Sequence, residues 1–149
     1  MSAVKSKASA VWTGDLANGS GMLTYVTSGA FARLPVSWSR RTGPNDGRTT
    51  PEEFLASAHA TCFSMAFASR LAKNGTPATR LDVSATVSFE GGDGGWSVAS
   101  SALAVTGLVP GIDAATFARL ADDAKENCPI SRALKGNVAL SVAATLAEG

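Results

Sequence analysis

The sequence predicts an α+β fold, with two main helices packed on antiparallel sheets, and three observations lead to this prediction. Apolar and polar residues alternate over 81–89 and again over 138–146, which is the period of half-buried strands. Two other segments, over 50–74 and from 113 onward, carry apolar residues at helical spacing. The resulting order of strands, helix, strands, helix and strand is typical of α+β proteins. A chain of 149 residues fits one domain, which we expect to span 1–149.

Further strands are predicted near the N-terminus and before the second helix, where the alternation is weaker. In the strand predicted over 31–38, the residues expected to face the core are Leu34, Val36 and Trp38. If that strand continues regularly, Arg40 shares the core-facing side and Arg41 faces away. The four weaker strands are 8–13, 21–27, 31–38 and 97–107.

The first helix has clear start and stop signals. Thr50 can cap it, Pro51 suits its first position, and Glu53 completes a capping box. Gly75 predicts an end near Asn74. Because this helix is apolar on nearly every side, we expect it at the centre of the fold.

The second helix is predicted to start at Asp113. Pro129 ends it or begins a short further helix over 129–135. Spacings of three, four and seven place its apolar residues on one face, and these are Phe117, Leu120, Ala121, Ala124 and Cys128.

Composition excludes several classes of protein. The chain has 13 Lys and Arg against 12 Asp and Glu, a net charge of +1, which argues against binding to nucleic acid. No segment approaches the ~20 apolar residues of a membrane span, and we expect no export signal. Two cysteines in such a chain indicate the reducing cytoplasm. Charged residues are only 17% of the chain, which is consistent with apolar surface covered by a partner subunit.

The two cysteines are the first candidates for chemistry. Cys62 and Cys128 both fall on the apolar helix faces that must pack inward, so the helices could bring the thiols together. Cys128 also precedes Pro129, at a possible helix start, where a thiolate is favoured. Each cysteine could instead be a small buried hydrophobe. Two Cys and one His are too few for an ordinary zinc site, so we predict no metal and no cofactor.

Two thiols 66 residues apart suit peroxidase chemistry. One thiolate attacks a peroxide and becomes a sulfenic acid, and the second thiol condenses with it to a disulfide. A free thiol with a pKa of ~8.5 is mostly protonated at neutral pH, so the attacking cysteine needs a nearby cation. Arg40 and Arg41 are candidates. His59 precedes Cys62 by one helical turn and could polarise its thiol or pack as a hydrogen-bonded histidine.

Other functions remain open at this point. The same dithiol would serve a redox sensor or a small-molecule binding protein without turnover. A thiol–disulfide exchanger is disfavoured, because the two cysteines lie on different elements rather than in a C-x-x-C motif. Glu52 and Glu53 could act only as first-turn carboxylates that complement the helix dipole.

Four segments together resemble the osmotically inducible protein C family, which is similar in activity to the organic hydroperoxide reductases. These segments are TPEEFLA at 50–56, AHATCFSM at 58–65, VPGID at 109–113 and NCPIS at 127–131. The resemblance extends in order over essentially the whole chain. It implies a cysteine peroxidase built as an intertwined homodimer, with a dithiol such as a lipoyl-bearing protein as its reductant.

The resemblance also implies roles for individual residues. Cys62 would attack the peroxide and Cys128 would resolve the sulfenic acid. The acid of the family falls on Glu52, and the activating arginine, three residues after an aromatic residue, falls on Arg41. The doubled Arg40–Arg41 leaves Arg40 as an alternative.

Helix geometry bears on where Glu52 could act. Glu52 and Cys62 are ten residues apart on one predicted helix, or about 15 Å along its axis. If Glu52 serves an active site, we therefore expect that site to contain Cys62 of a partner subunit. The apolar helix face favours organic hydroperoxides over hydrogen peroxide, although the sequence does not name the peroxide.

Overall fold

The structure is a computed structural model that describes residues 2–148. Its contacts divide the chain into two compact units, residues 1–51 and 52–149, and each unit is described by itself below. The single domain over 1–149 stays a prediction. No helix among the described residues is long and apolar enough to cross a membrane.

The first unit contains a three-stranded antiparallel sheet in the order β1–β2–β3. Its strands are β1 (Ala8–Thr13), β2 (Ser20–Val26) and β3 (Leu34–Val36). The predictions of strands at 8–13 and 21–27 are confirmed. A short helix, α1 (Trp38–Thr42), follows the sheet.

The predicted strand over 31–38 is wrong at both ends. Only Leu34–Val36 is extended in the sheet. Ser37 caps α1, because its side chain accepts a hydrogen bond from the backbone N–H of Arg40 at 3.2 Å. The assignment of Arg40 and Arg41 to opposite sides of a strand is therefore also wrong, since both lie on one helical turn.

The long helix α2 (Pro51–Lys73) matches the first predicted helix closely. It ends before Gly75, whose φ of 81° is the left-handed conformation that favours glycine after a helix. The backbone N–H of Gly75 donates to the carbonyl of Ala72, which closes the last turn.

The rest of the second unit follows the predicted order of elements. The strands are β4 (Arg80–Gly92), β5 (Gly95–Leu108) and β6 (Ala139–Leu146), and the helices are α3 (Ala114–Asn127) and α4 (Pro129–Leu134). Asp113 caps α3 by accepting from the backbone N–H of Thr116 at 2.8 Å. The predicted helix starts at Asp113 and Pro129 are both confirmed.

The second sheet has the order β4–β5–β6 and is not purely antiparallel. β4 and β5 form an antiparallel hairpin, but β6 pairs with β5 in parallel. The expectation of antiparallel sheets throughout is thus wrong at this edge. The physical reason is the connection, because α3 and α4 lie between β5 and β6 and return the chain to the same end of the sheet.

The core of the second unit lies between this sheet and the helices. Phe67 of α2 packs against Phe117 of α3 with ring centroids 5.0 Å apart. Gly107 makes room for this pair, since a Cβ atom there would lie 2.6 Å from the Phe117 ring. Cys128 is fully buried in the same cluster. The core thus packs the second cysteine against the helix that carries the first.

Candidate active site

The two cysteines meet in the second unit. Cys62 is partly exposed on α2, and Cys128 is fully buried between α3 and α4. The Cys62 thiol lies close enough to the Cys128 thiol and to the backbone N–H of Ile130, in the first turn of α4, for both groups to shift its pKa. Both are free thiols. The helices therefore bring together the two sulfurs that the sequence analysis paired.

The surroundings of Cys62 in this unit disfavour its thiolate. Burial is the largest effect and raises the pKa of the Cys62 thiol. The neighbouring Cys128 thiol raises this pKa further, while the N–H of Ile130 lowers it by stabilising the charged sulfur. Since the net direction is upward, the described contacts of residues 52–148 do not by themselves activate Cys62.

The backbone around Cys128 fixes where its sulfur lies. Cys128 ends α3, because its N–H donates to the carbonyl of Ala124 at 2.8 Å. It also begins α4, because its carbonyl accepts from the N–H of Arg132 at 3.0 Å. Pro129 suits this corner, since it has no N–H to satisfy at the first helical position.

His59 is fully buried one turn before Cys62, and two serines bind its ring. Its Nδ1 atom lies 2.7 Å from the Oγ atom of Ser101 on β5. Its Nε2 atom lies 2.8 Å from the Oγ atom of Ser131 on α4. Burial lowers the pKa of His59, so the ring is neutral at physiological pH. Of the two interpretations from the sequence, the hydrogen-bonded packing histidine is the one the structure supports.

Sequence reasoning missed the two serines as partners of His59. Ser101 had a signal, because it belongs to the inward-facing row of β5 that continues with Leu103 and Val105. A serine in such a row must have a buried hydrogen-bond partner. For Ser131, the one signal in the sequence was its position in the NCPIS segment at 127–131.

Arg41 lies in the first unit, on α1. Together with Trp38, three residues earlier, it borders a cleft of about 250 Å³. Arg41 is the one charged residue among those that line the cleft, which are Trp12, Leu16, Val36, Ser37, Trp38, Arg41 and Pro51. Arg40 has a different environment, since its Nε atom donates to the carbonyl of Arg48 at 3.2 Å.

Glu52 and Glu53 occupy the first turn of α2, as predicted. Glu52 is buried, with 8% of its surface exposed, and Glu53 is exposed. A first-turn carboxylate that only complements the helix dipole can stay in water. The burial of Glu52 therefore distinguishes it from Glu53. Within residues 2–148, no three His, Cys, Asp or Glu side chains are grouped to hold a metal ion.

A pair of neighbouring free thiols, one of them partly exposed, on an α+β fold is the arrangement expected of a dithiol redox protein. Residues 43–143 match the family of OsmC-like proteins. The peroxiredoxin OsmC of Escherichia coli (strain K12) is 37% identical over 137 residues, which cover 92% of this chain and 94% of that protein. The chain belongs to the OsmC-like protein family.

Solved structures share the fold. An organic hydroperoxide resistance protein from Elizabethkingia anophelis gives a TM-score of 0.74 at 22% identity, covering 99% of this chain and 100% of that one. The organic hydroperoxide resistance protein OhrB of Bacillus subtilis gives a TM-score of 0.69 at 23% identity, covering 95% of this chain and 98% of that one. The resemblance drawn from the sequence is confirmed at the level of family and fold.

Proposed function

We infer that this chain is a thiol-dependent peroxidase that reduces organic hydroperoxides through Cys62 and Cys128. The observation that carries this conclusion is that Cys62 packs against the core cluster that contains Cys128, with the two thiols close enough to shift the pKa of Cys62. The 37% identity to a peroxiredoxin over nearly the whole chain supports it.

The reaction proceeds in two steps. The Cys62 thiolate attacks the terminal oxygen of the hydroperoxide, the O–O bond breaks, and protonation of the leaving alkoxide gives the alcohol and a sulfenic acid on Cys62. Cys128 then attacks the sulfenic sulfur, which forms the disulfide and releases the hydroxyl as water. Cys62 is the attacking residue because it is the partly exposed one, whereas Cys128 is fully buried beside it.

The first step needs a cation, because burial and the neighbouring thiol raise the pKa of Cys62. We assign this role to Arg41. The family resemblance and the placement of Arg41 beside Trp38 at an apolar cleft support the assignment. A guanidinium both favours a thiolate and can donate to a peroxide oxygen. Arg40 is the alternative.

The proposal includes a homodimer in which Glu52 of one subunit orients the arginine that serves Cys62 of the other. Helix geometry supports this arrangement, because α2 is continuous from Pro51 to Lys73 and its rise separates the two residues by about 15 Å. The exposed apolar side chains of α2, with Met65 68% exposed, support burial against a second copy.

The cleft beside Arg41 favours organic hydroperoxides over hydrogen peroxide, because most of its lining is apolar. The proposed reductant is a dithiol, such as a lipoyl-bearing protein, that returns the disulfide to two thiols. We place the protein in the cytoplasm, a reducing compartment in which thiols are kept reduced.

Peroxide consumption with dihydrolipoamide as reductant tests the function. Cumene hydroperoxide and hydrogen peroxide are supplied in parallel, and the expected result is turnover with a higher kcat/KM for cumene hydroperoxide. Stoichiometric oxidation of the thiols without turnover would instead identify a redox sensor. Equal rates for both peroxides would overturn the preference for organic substrates.

A further inference from the structure

We propose that His59 is a positioning residue that holds the start of α4, and with it Cys128, in place to attack the oxidised Cys62. The inference rests on the proposed roles of the two cysteines. It concerns the second step of the reaction, in which the enzyme closes its disulfide before another peroxide reaches the sulfenic acid.

The geometry of the ring leads to this proposal. His59 belongs to α2, Ser101 to β5 and Ser131 to α4, so one imidazole links three elements of the core. The two contacts are 2.7 and 2.8 Å long, and the ring is completely buried. Buried polar bonds of this kind fix one arrangement of the elements that they join, because an unpaired group is costly.

The bond to Ser131 matters most, because α4 is short. This helix has only six residues and begins directly after Cys128. Its first turn places two groups beside the Cys62 thiol, the Cys128 sulfur at its cap and the N–H of Ile130. Ser131 follows Ile130 in the same turn, so the imidazole on α2 holds the segment that faces the thiol one turn further along α2.

A histidine suits this role better than most buried residues. Its two ring nitrogens point to opposite sides, and in the neutral form one donates while the other accepts. Serine hydroxyls accept or donate, so both contacts can form without a charge in the core. Among the described residues, no buried side-chain nitrogen or oxygen atom lacks a hydrogen-bond partner, and this network is part of the reason.

The consequence concerns competition between two fates of the sulfenic acid. Cys128 can attack it, which gives the disulfide and water, or a second hydroperoxide can oxidise it to the sulfinic acid with release of a second alcohol. If α4 moves freely, the first process slows while the second does not. The peroxide concentration at which half of Cys62 is over-oxidised therefore measures how well Cys128 is positioned.

The test compares this half-concentration among variants by mass spectrometry of the intact protein after a pulse of cumene hydroperoxide. His59→Phe keeps a ring of similar size without hydrogen bonds, and His59→Gln keeps one donor and one acceptor. Ser131→Ala removes the bond to α4. Ser101→Ala is the matched control, because it removes an equally buried hydroxyl, on β5, that binds the same imidazole.

We expect the half-concentration to fall roughly two- to tenfold in Ser131→Ala and at least as far in His59→Phe, the change that one lost buried hydrogen bond causes. Ser101→Ala should lie closer to the wild type, and His59→Gln should recover part of the loss. Ser131→Ala should add little in the His59→Phe background, because both changes break the same contact.

Three results separate the outcomes. An unchanged half-concentration in both Ser131→Ala and His59→Phe overturns the positioning role. Equal falls in Ser131→Ala and Ser101→Ala that follow their losses of unfolding free energy also overturn it, because they would reflect general destabilisation. A wild type that forms no disulfide at any peroxide concentration refutes the two-cysteine reaction itself. If His59→Phe does not fold, the comparison of Ser131→Ala with Ser101→Ala still tests the positioning role.

Discussion

The Nε2 atom of His59 and the Oγ atom of Ser131 lie 2.8 Å apart, although the two residues are 72 positions apart in the sequence. Both side chains are buried. The contact therefore joins two distant parts of the sequence inside the core, at the turn of helix that follows Cys128. The second contact of the ring, to Ser101, is equally buried, and both hydroxyls that bind the ring are uncharged groups.

The first prediction is a loss of stability on mild acidification. Burial lowers the pKa of His59 below its ordinary value of 6.5. Below pH 6.5, His59 therefore binds a proton in the unfolded chain but stays neutral in the folded chain until the pH falls to its lowered pKa. The contribution of His59 to the free energy of unfolding is complete above pH 6.5 and falls as the pH drops, by up to ~1.4 kcal/mol per pH unit, until the folded histidine also titrates. Urea unfolding between pH 7.5 and 5 measures this loss.

The control for that experiment is direct, because His59 is the one histidine in the sequence. His59→Gln should remove the slope between pH 6.5 and 5 while lowering the stability at pH 7.5. The measurements stop near pH 5, because carboxylates titrate at lower pH and would add their own effects on stability. Glu126, whose pKa is held low by Lys135, is one of them. Parallel curves for the two proteins would contradict the prediction.

The second prediction separates the roles of the two cysteines. Cys62→Ser should abolish peroxide reduction, because the attacking sulfur is gone. Cys128→Ser should react once and then stop, since its sulfenic acid has no partner. Mass spectrometry after peroxide treatment should show the loss of two hydrogens in the wild type and the gain of oxygen in Cys128→Ser. Substantial turnover by Cys62→Ser would reject the assignment.

The third prediction concerns the cation. Arg41→Ala should raise the pKa of the Cys62 thiol, because a positive charge favours the thiolate. At pH 7 the attack on peroxide should slow by roughly tenfold or more, since the thiolate fraction falls tenfold for each pH unit by which the pKa rises. Alkylation by iodoacetamide as a function of pH reports the pKa. Arg40→Ala is the matched control and should keep the wild-type profile, and the reverse result would move the role to Arg40.

The fourth prediction tests the shared site by subunit mixing. Cys62→Ser and Glu52→Ala, each inactive or weak alone, are refolded together. Heterodimers then contain one site with both Cys62 and Glu52 intact, so random pairing should recover about a quarter of the wild-type activity. Glu53→Ala, a change at the exposed neighbour, should be active by itself.

Two outcomes would reject the shared site. The first is no recovery although heterodimers are shown to form, which would place Glu52 in the site of its own chain or outside it. The second is a monomer by light scattering at micromolar concentration.

The sequence predicted the helices of this fold better than its sheet pairing. Thr50, Pro51 and Gly75 are local signals, so the ends of α2 could be placed within a residue or two. The parallel pairing of β6 with β5 depends on how α3 and α4 return the chain, which alternation does not encode. Trp38 was misassigned because apolar alternation continued past Ser37, although Ser37 is itself a helix-capping residue.

The candidate site was predictable in part for a similar reason. Helical spacing put Cys62 and Cys128 on inward-facing sides, and the fold then brought them together. Contacts across many residues, such as those of His59 with two serines, require the packed structure. A hydroxyl in a strand or helix shows only that it needs a partner and not which one.

Cys62 and Cys128 are 66 positions apart in the sequence, so a bond between them would also affect the stability of the fold. A bond between these sulfurs closes a loop that contains β4, β5, α3 and the second half of α2. Closing a loop of this length removes conformational freedom from the unfolded chain and stabilises the folded one by about 4 kcal/mol. In the proposed reaction, each molecule of peroxide that is reduced would therefore leave the enzyme in a form more resistant to heat and proteases, and the reductant would return it to the less stable one.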